Sequence, residues 1–227
     1  PLELCFRVYS ALRQLGLDVD VLPTQADVSG YAMVVLPAHL RSDTNLPDRL
    51  QRSGAQVVLG PRAGSKTEHL SIPGNLPPGD LAQLAGVRVQ RVESLPPGVE
   101  LAVQHGAQRF TAARWREHLQ CHSAAVDATF DDGRPAVTRN GRVRYVGAWL
   151  DEAGWAAVLS QTAKDALVNT MNLPPDVRVS RLGELWFGLN FSYQTVAWEP
   201  PLKNADCLIG SRELAPQAMS VWRVIPS

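Results

Sequence analysis

The chain has 227 residues, 45% hydrophobic and 19% charged, and its 22 basic and 22 acidic side chains cancel. That composition can bury the core of one large domain, or of a medium domain with a small one. It excludes the basic footprint of a nucleic-acid binder and the polybasic stretch that seeks an anionic membrane. No apolar run approaches the roughly 20 residues that span a bilayer, and no signal-like segment opens the sequence. Cys5, Cys121 and Cys207 are odd in number and far apart, which is no disulfide framework and points to a reducing, cytoplasmic setting.

The first element is a helix over residues 2–15, because Leu4, Cys5, Val8, Leu12 and Leu15 recur at helical spacing and Gly16 follows where a helix-ending glycine belongs. Residues 19–22 form a short strand candidate. Residues 31–37 (YAMVVLP) form a second, with the continuous apolar run of a strand buried on both faces. A helix over 42–53 ends at Gly54, and residues 55–60 (AQVVLG) make another buried strand. This alternation predicts a parallel sheet with crossover helices. A doubly wound domain opens on a strand and this chain opens on a helix, so the expectation is a first strand lying upstream of Pro1.

A short helix over 81–85 precedes Gly86, and residues 87–103 read as strands broken by Pro96-Pro97-Gly98. Residues 124–130 are a strand, and 134–150 a hairpin turning at Asn140-Gly141. Asp151 can cap the next helix, whose apolar face holds Trp155, Val158, Leu159, Ala166 and Leu167. Pro174-Pro175 marks a boundary. Beyond it, short strands over 177–182, 185–191, 195–198, 207–209 and 220–225 predict a small antiparallel β-sandwich or barrel-like module. The expected domains are therefore an α/β domain over 1–173 and a small β domain over 176–227.

Candidate chemistry is sparse. Cys5 sits on the apolar face of its helix and reads as core packing. A helix through Cys121 would set His118 and His122 on one face at a zinc-ligand spacing. The glutamate of the metalloprotease motif is missing, however, and a polar helix end competes with that reading. Cys207 falls in a strand and is expected to be buried. The loop Gly60–His69 follows a parallel strand, where open sheets place their sites. Its Arg62, Lys66, Glu68 and His69 suit carboxylate or hydroxyl recognition on one reading, and an interface or a locked loop on the other. Its glycines are too few to cradle phosphate. Among six tryptophans, Trp186, Trp198 and Trp222 have the spacing of a β core rather than of a sugar platform. Trp149 and Trp155 flank a helix start, and Trp115, among charged neighbours, is expected to be exposed. Asn190-Phe191-Ser192 matches a glycosylation acceptor.

Taken in order, several phrases resemble the C-terminal half of the family forty-two glycoside hydrolases, the β-galactosidases. LGPRAGSKTEH (59–69) resembles the strand and loop of the family's trimerisation domain, and Gly79-Asp80-Leu81 through Leu84-Ala85-Gly86-Val87-Arg88-Val89 its short helix and next strand. Gly133-Arg134-Pro135-Ala136-Val137-Thr138-Arg139, Tyr145-Val146-Gly147 and Leu150-Asp151 are similar to its closing hairpin and helix, and Leu189-Asn190-Phe191-Ser192 to its small β domain. Thr67 and His69 stand where the family more often has Asp and Asn. The resemblance implies a flavodoxin-like parallel sheet similar to class I glutamine amidotransferases without their cysteine nucleophile, followed by a small all-β sandwich domain. It also implies a homotrimer built through the α/β domain. The catalytic glutamates of the family belong to a barrel of roughly 250 residues, which would precede Pro1, so no catalytic residue, cofactor or metal is carried over. Two other classes stay open: a stand-alone amidotransferase-like hydrolase working through Cys121 or another thiol, and a carbohydrate-binding module.

Overall fold

A computed structural model describes residues 2–201 and 204–224. Its elements run in the order α1 (Leu2–Gln14), β1 (Met33–Leu36), α2 (Leu46–Ser53), β2 (Gln56–Leu59), a single 3-10 turn, α3 (Ala82–Ala85), β3 (Val87–Ser94), β4 (Glu100–His105) and β5 (Gln108–Cys121). β6 (Ala125–Phe130), β7 (Pro135–Asn140), β8 (Val143–Val146), β9 (Ala148–Leu150) and α4 (Glu152–Asp165) follow. The chain closes on β10 (Val177–Leu182), β11 (Leu185–Asn190), β12 (Val196–Ala197), β13 (Ala205–Ile209), β14 (Glu213–Leu214) and β15 (Met219–Val224). No helix among the described residues is long and apolar enough to cross a membrane. The contacts divide the chain into two compact units, residues 1–8 with 22–168, and residues 9–21 with 169–227.

The first unit is mixed α/β. Its nine-stranded sheet runs β1-β2-β8-β7-β6-β4-β5-β3, with β9 on β5. β1 pairs β2 and β2 pairs β8 in parallel, while every other ladder is antiparallel. The expected parallel sheet is thus confined to three strands. The reason is connection length: a parallel pair needs a crossover of a dozen residues or more, and from β3 to β8 the chain turns back through short loops that only an antiparallel ladder accepts. The hairpin from β7 to β8 turns at Gly141-Arg142, one residue later than expected: Asn140 pairs with Val143 as the last residue of β7, and Gly141 takes the positive φ of the first turn position.

Leu46 and Leu50 of α2, Val57 and Leu59 of β2, Ala85 of α3, Val87 and Val89 of β3, and Val143 and Tyr145 of β8 close one core. α2 begins at Leu46 rather than Ser42 because Pro47 sets the first turn, where its missing N–H costs nothing. β1 is half-buried rather than buried on both faces, because it is the sheet edge. Asp151 caps α4 as expected, its carboxylate accepting the N–H of Gly154 at 2.7 Å and that of Thr111 at 2.8 Å.

Several expectations fail. Residues 19–22 form no strand; Val21 is 84% exposed and has no ladder to join. The segment expected to be a helix through His118 and Cys121 is β5, which pairs β3, β4 and β9. Its charged run carries no helical apolar face, and cross-strand pairing decides the outcome. Leu167 lies beyond the end of α4 and is 92% exposed, so α4 buries Thr162 and Ala163 in its last turns instead.

The second unit is antiparallel, with a four-stranded sheet β10-β11-β15-β13 and a two-stranded β12-β14 ladder. Leu173, Val177, Val179, Trp198, Leu214 and Trp222 are its core, and Trp186 packs against them partly buried. Residues 9–21 join this unit through Arg13, which donates to the carbonyl of Val179 at 2.7 Å, and Asp18, which accepts from Ser180 at 2.7 Å. Cys207 is exposed rather than buried because β13 is an edge strand with one side open. The last residue of the expected 220–225 strand lies outside the described residues.

Candidate interface site at the end of β2

β2 delivers the chain into Gly60-Pro61-Arg62-Ala63-Gly64. Arg62 has φ +68°, a left-handed conformation that costs an L-residue about 1–2 kcal/mol. Both flanking glycines are obligatory. A Cβ on Gly60 would collide with the carbonyl of Pro37, and one on Gly64, itself at φ +60°, with the carbonyl of Pro78. A glycine, one residue, a strained residue, another residue and a second glycine at the end of a buried parallel strand is the geometry of a nucleophile elbow. Here the strained position holds an arginine, and turns rather than a helix follow.

The turn is held from beneath by Glu117 of β5. This carboxyl is 2% exposed and accepts the Arg62 backbone N–H at 2.9 Å, the Trp115 indole N–H at 3.2 Å and the Tyr145 hydroxyl at 2.7 Å. Burial pushes its pKa up against those hydrogen bonds, and burial with the adjacent carboxylate pushes Tyr145 well above its ordinary value. Above the turn, the Arg62 guanidinium lies over the Trp115 ring, 4.8 Å from its centroid. Trp115 is therefore partly buried, not the exposed side chain its charged neighbours suggested.

The rest of the loop is tied by backbone. Gly64 donates to His39 at 3.0 Å, Lys66 to Leu40 at 2.9 Å, and Ser42 to Lys66 at 2.7 Å. Glu68 and His69 are exposed and face each other at 3.2 Å, so they do not join the Arg62–Trp115 pair. His118 is no metal ligand in waiting; its ring nitrogens face Glu93 at 3.0 Å and Arg134 at 3.0 Å. Cys121 ends β5 with its thiol pKa raised by burial, the opposite of an activated nucleophile. The structure thus brings together Arg62 and Trp115 of the candidates and adds Glu117 and Tyr145. The signal for Glu117 was its place two residues from Trp115, on the same face once the segment is a strand.

Residues 3–169 match the family model described as the β-galactosidase trimerisation domain. Over 221 residues the chain is 38% identical to a β-galactosidase of Thermus thermophilus, covering 97% of this chain and 34% of that protein. It is 34% identical to one of Halorubrum lacusprofundi, covering 81% and 30%. The solved β-galactosidase of the psychrophilic Marinomonas ef1 superposes with a TM-score of 0.93 at 35% identity, over 99% of this chain and 34% of that one. The chain spans about a third of the length of these relatives. On this match of sequence and fold, it belongs to the family of β-galactosidase trimerisation domains.

Proposed function

We propose that this chain is the non-catalytic assembly region of a family forty-two β-galactosidase. In this reading the catalytic barrel lies in the two-thirds of the protein that the chain does not span and hydrolyses terminal β-D-galactosides, and three copies assemble through the α/β domain. The observation that carries the reading is the elbow at β2. A hydrolase of this architecture needs a nucleophile at the strained position, and Arg62 stands there instead.

The three parallel strands with this elbow support a likeness to class I glutamine amidotransferases and a flavodoxin-like ancestry of the sheet. On this reading the α/β domain covers 1–173 and the small β domain 176–227; the compact units divide a few residues earlier, after Val168, and count residues 9–21 with the second. Arg62, Lys66, Glu68 and His69 of the loop, with Trp115 of β5 under the Arg62 guanidinium, are the proposed interface residues. The loop's continuation leaves Leu70, Ile72 and Leu76 in solvent, 62%, 83% and 50% exposed, apolar surface of the kind assembly removes from water. Three free cysteines support a cytoplasmic setting.

The test is hydrolysis of a chromogenic β-galactoside by the pure 227-residue chain. No turnover is expected. Turnover abolished by replacing an acidic residue of this chain would overturn the reading.

A further inference from the structure

The nine-stranded sheet ends on β1 at one side and on β3 at the other, and the two edges are built differently. β3 (VRVQRVES) exposes Arg88, Gln90 and Arg91 and slips register between Val89 and Arg91. A loop also covers part of it, the Val89 N–H donating to the Pro77 carbonyl at 2.7 Å. Charge, a bulge and a cover are how a sheet protects an edge. β1 (MVVL) carries no charge and pairs β2 in unbroken register. That is the composition of a strand inside a parallel sheet.

The backbone agrees. Successive residues of a parallel strand turn their N–H and C=O groups to opposite sides. Gln56 donates to the Ala32 carbonyl at 3.0 Å and Gly60 to the Leu36 carbonyl at 2.9 Å. Ala32, Val34 and Leu36 therefore face β2, while Met33 and Val35 face away from it. The interior strand β2 uses both sides, its Val57 N–H going the other way to the Arg142 carbonyl at 2.8 Å, just before β8. Among the described residues no strand lies beyond β1. The backbone groups of Met33 and Val35 thus have no ladder, in a half-buried strand where such groups call for a partner.

Chain order indicates the kind of partner. Parallel neighbours are joined by a crossover of a dozen residues or more, usually a helix. α2 is that crossover between β1 and β2. α1 precedes β1 in the same way, with Leu4 and Val8 each 2% exposed. The chain spans about a third of the length of its relatives, so a further strand has a source in the same protein.

We propose that a strand from the part of the protein that this chain does not span pairs in parallel with β1, bonds to Met33 and Val35, and makes β1 an interior strand. The proposal rests on the reading of this chain as one region of a longer protein, and adds where the remainder joins the sheet and by which bonds. The incoming segment is extended and rich in valine, isoleucine or leucine. A second copy fits less well. Two β1 edges paired across a two-fold axis run antiparallel and build pairs, whereas a ring of three needs two different patches.

The experiment is hydrogen exchange on the full-length protein, read at single amides by fragmentation mass spectrometry. Val34 and Leu36, which bond to β2, set the scale. Met33 and Val35 are expected to exchange no more than about tenfold faster than these two; faster exchange overturns the proposal. Protection that disappears when the protein is diluted to monomers gives the edge to a second copy and also overturns it. A crystal structure of the full-length protein identifies the partner. The N–H groups of Met33 and Val35 are expected on carbonyls two residues apart in one parallel segment of the same subunit. Water, side chains, an antiparallel segment or another subunit at those positions would contradict the proposal. A protein that is monomeric throughout but protected at Met33 and Val35 removes the trimer reading and leaves this proposal standing, and a trimer unprotected there does the reverse.

Discussion

The Glu117 carboxylate accepts the backbone N–H of Arg62 at 2.9 Å, across fifty-five residues of sequence. One buried acid thereby fixes the turn after β2, the indole above it and the phenol of Tyr145 beside it. Replacing it with alanine strands three donors in a dry site, each costing about 1–3 kcal/mol when left unmade. Glu117→Ala is expected to destabilise the chain by about 3 kcal/mol or more, measured by urea unfolding.

The same carboxyl sets a pH dependence. Its folded pKa is raised above the unfolded value, so between the two the folded state holds more protons than the unfolded. Its contribution to stability is present below the unfolded pKa and is lost as pH rises through the folded one. Glu117→Gln removes the charge, keeps an amide oxygen for the N–H groups of Arg62 and Trp115, and turns the third bond round, the amide NH2 donating to the Tyr145 oxygen. Unfolding from pH 4 to 8 should show the wild type losing stability relative to Glu117→Gln as pH rises, with a slope of at most about 1.4 kcal/mol per pH unit. Parallel pH profiles would reject a Glu117 pKa raised by burial.

The elbow glycines give a second test. Gly60→Ala and Gly64→Ala each push a methyl into a backbone carbonyl that cannot yield, and a loss of about 2–4 kcal/mol is expected. Gly133, at φ +79°, shares the left-handed backbone of Gly64 but has open space around it. Gly133→Ala should cost only the strain of the left-handed residue, about 1 kcal/mol. Equal losses at all three positions would mean that close approach is not what the elbow glycines serve.

Legibility in the sequence followed pattern strength. The Val57-Val58-Leu59 run and the Asp151 cap each pair a residue type with one local conformation, and each is where it was expected, while the hairpin glycine, Gly141, sits in its turn one place earlier than the Asn-Gly dipeptide implied. β5 was missed because Arg114-Trp115-Arg116-Glu117-His118 alternates charge with charge: Glu117 is buried by pairing across the sheet, while Arg116 is buried between Glu93 and Asp132. With residues 118–122 weighed only as a helix end and residues 108–117 given no element, neither the contact of Trp115 with Arg62 nor the burial of Glu117 could be seen. The loop itself was legible as a site by its place after a parallel strand; the left-handed Arg62 was not, since its backbone N–H is held by Glu117, fifty-five residues away on β5.

In the second unit Asn190 is a clamp rather than a surface acceptor for sugar. It is 2% exposed, donates to the carbonyls of Gln194, Leu214 and Ala215 at 2.7–3.0 Å, and accepts from the backbone and hydroxyl of Ser192. Asn190→Ala is expected to cost about 3 kcal/mol by thermal or urea unfolding. A loss below about 0.5 kcal/mol would show the clamp to be dispensable.

The most direct measurement is the mass of the full-length protein in solution, by sedimentation equilibrium from nanomolar to micromolar concentration. The expected result is a mass of three subunits that gives way to one on dilution. A protein that stays monomeric throughout, or assembles only in pairs, would contradict the assignment of the α/β domain as the assembly region.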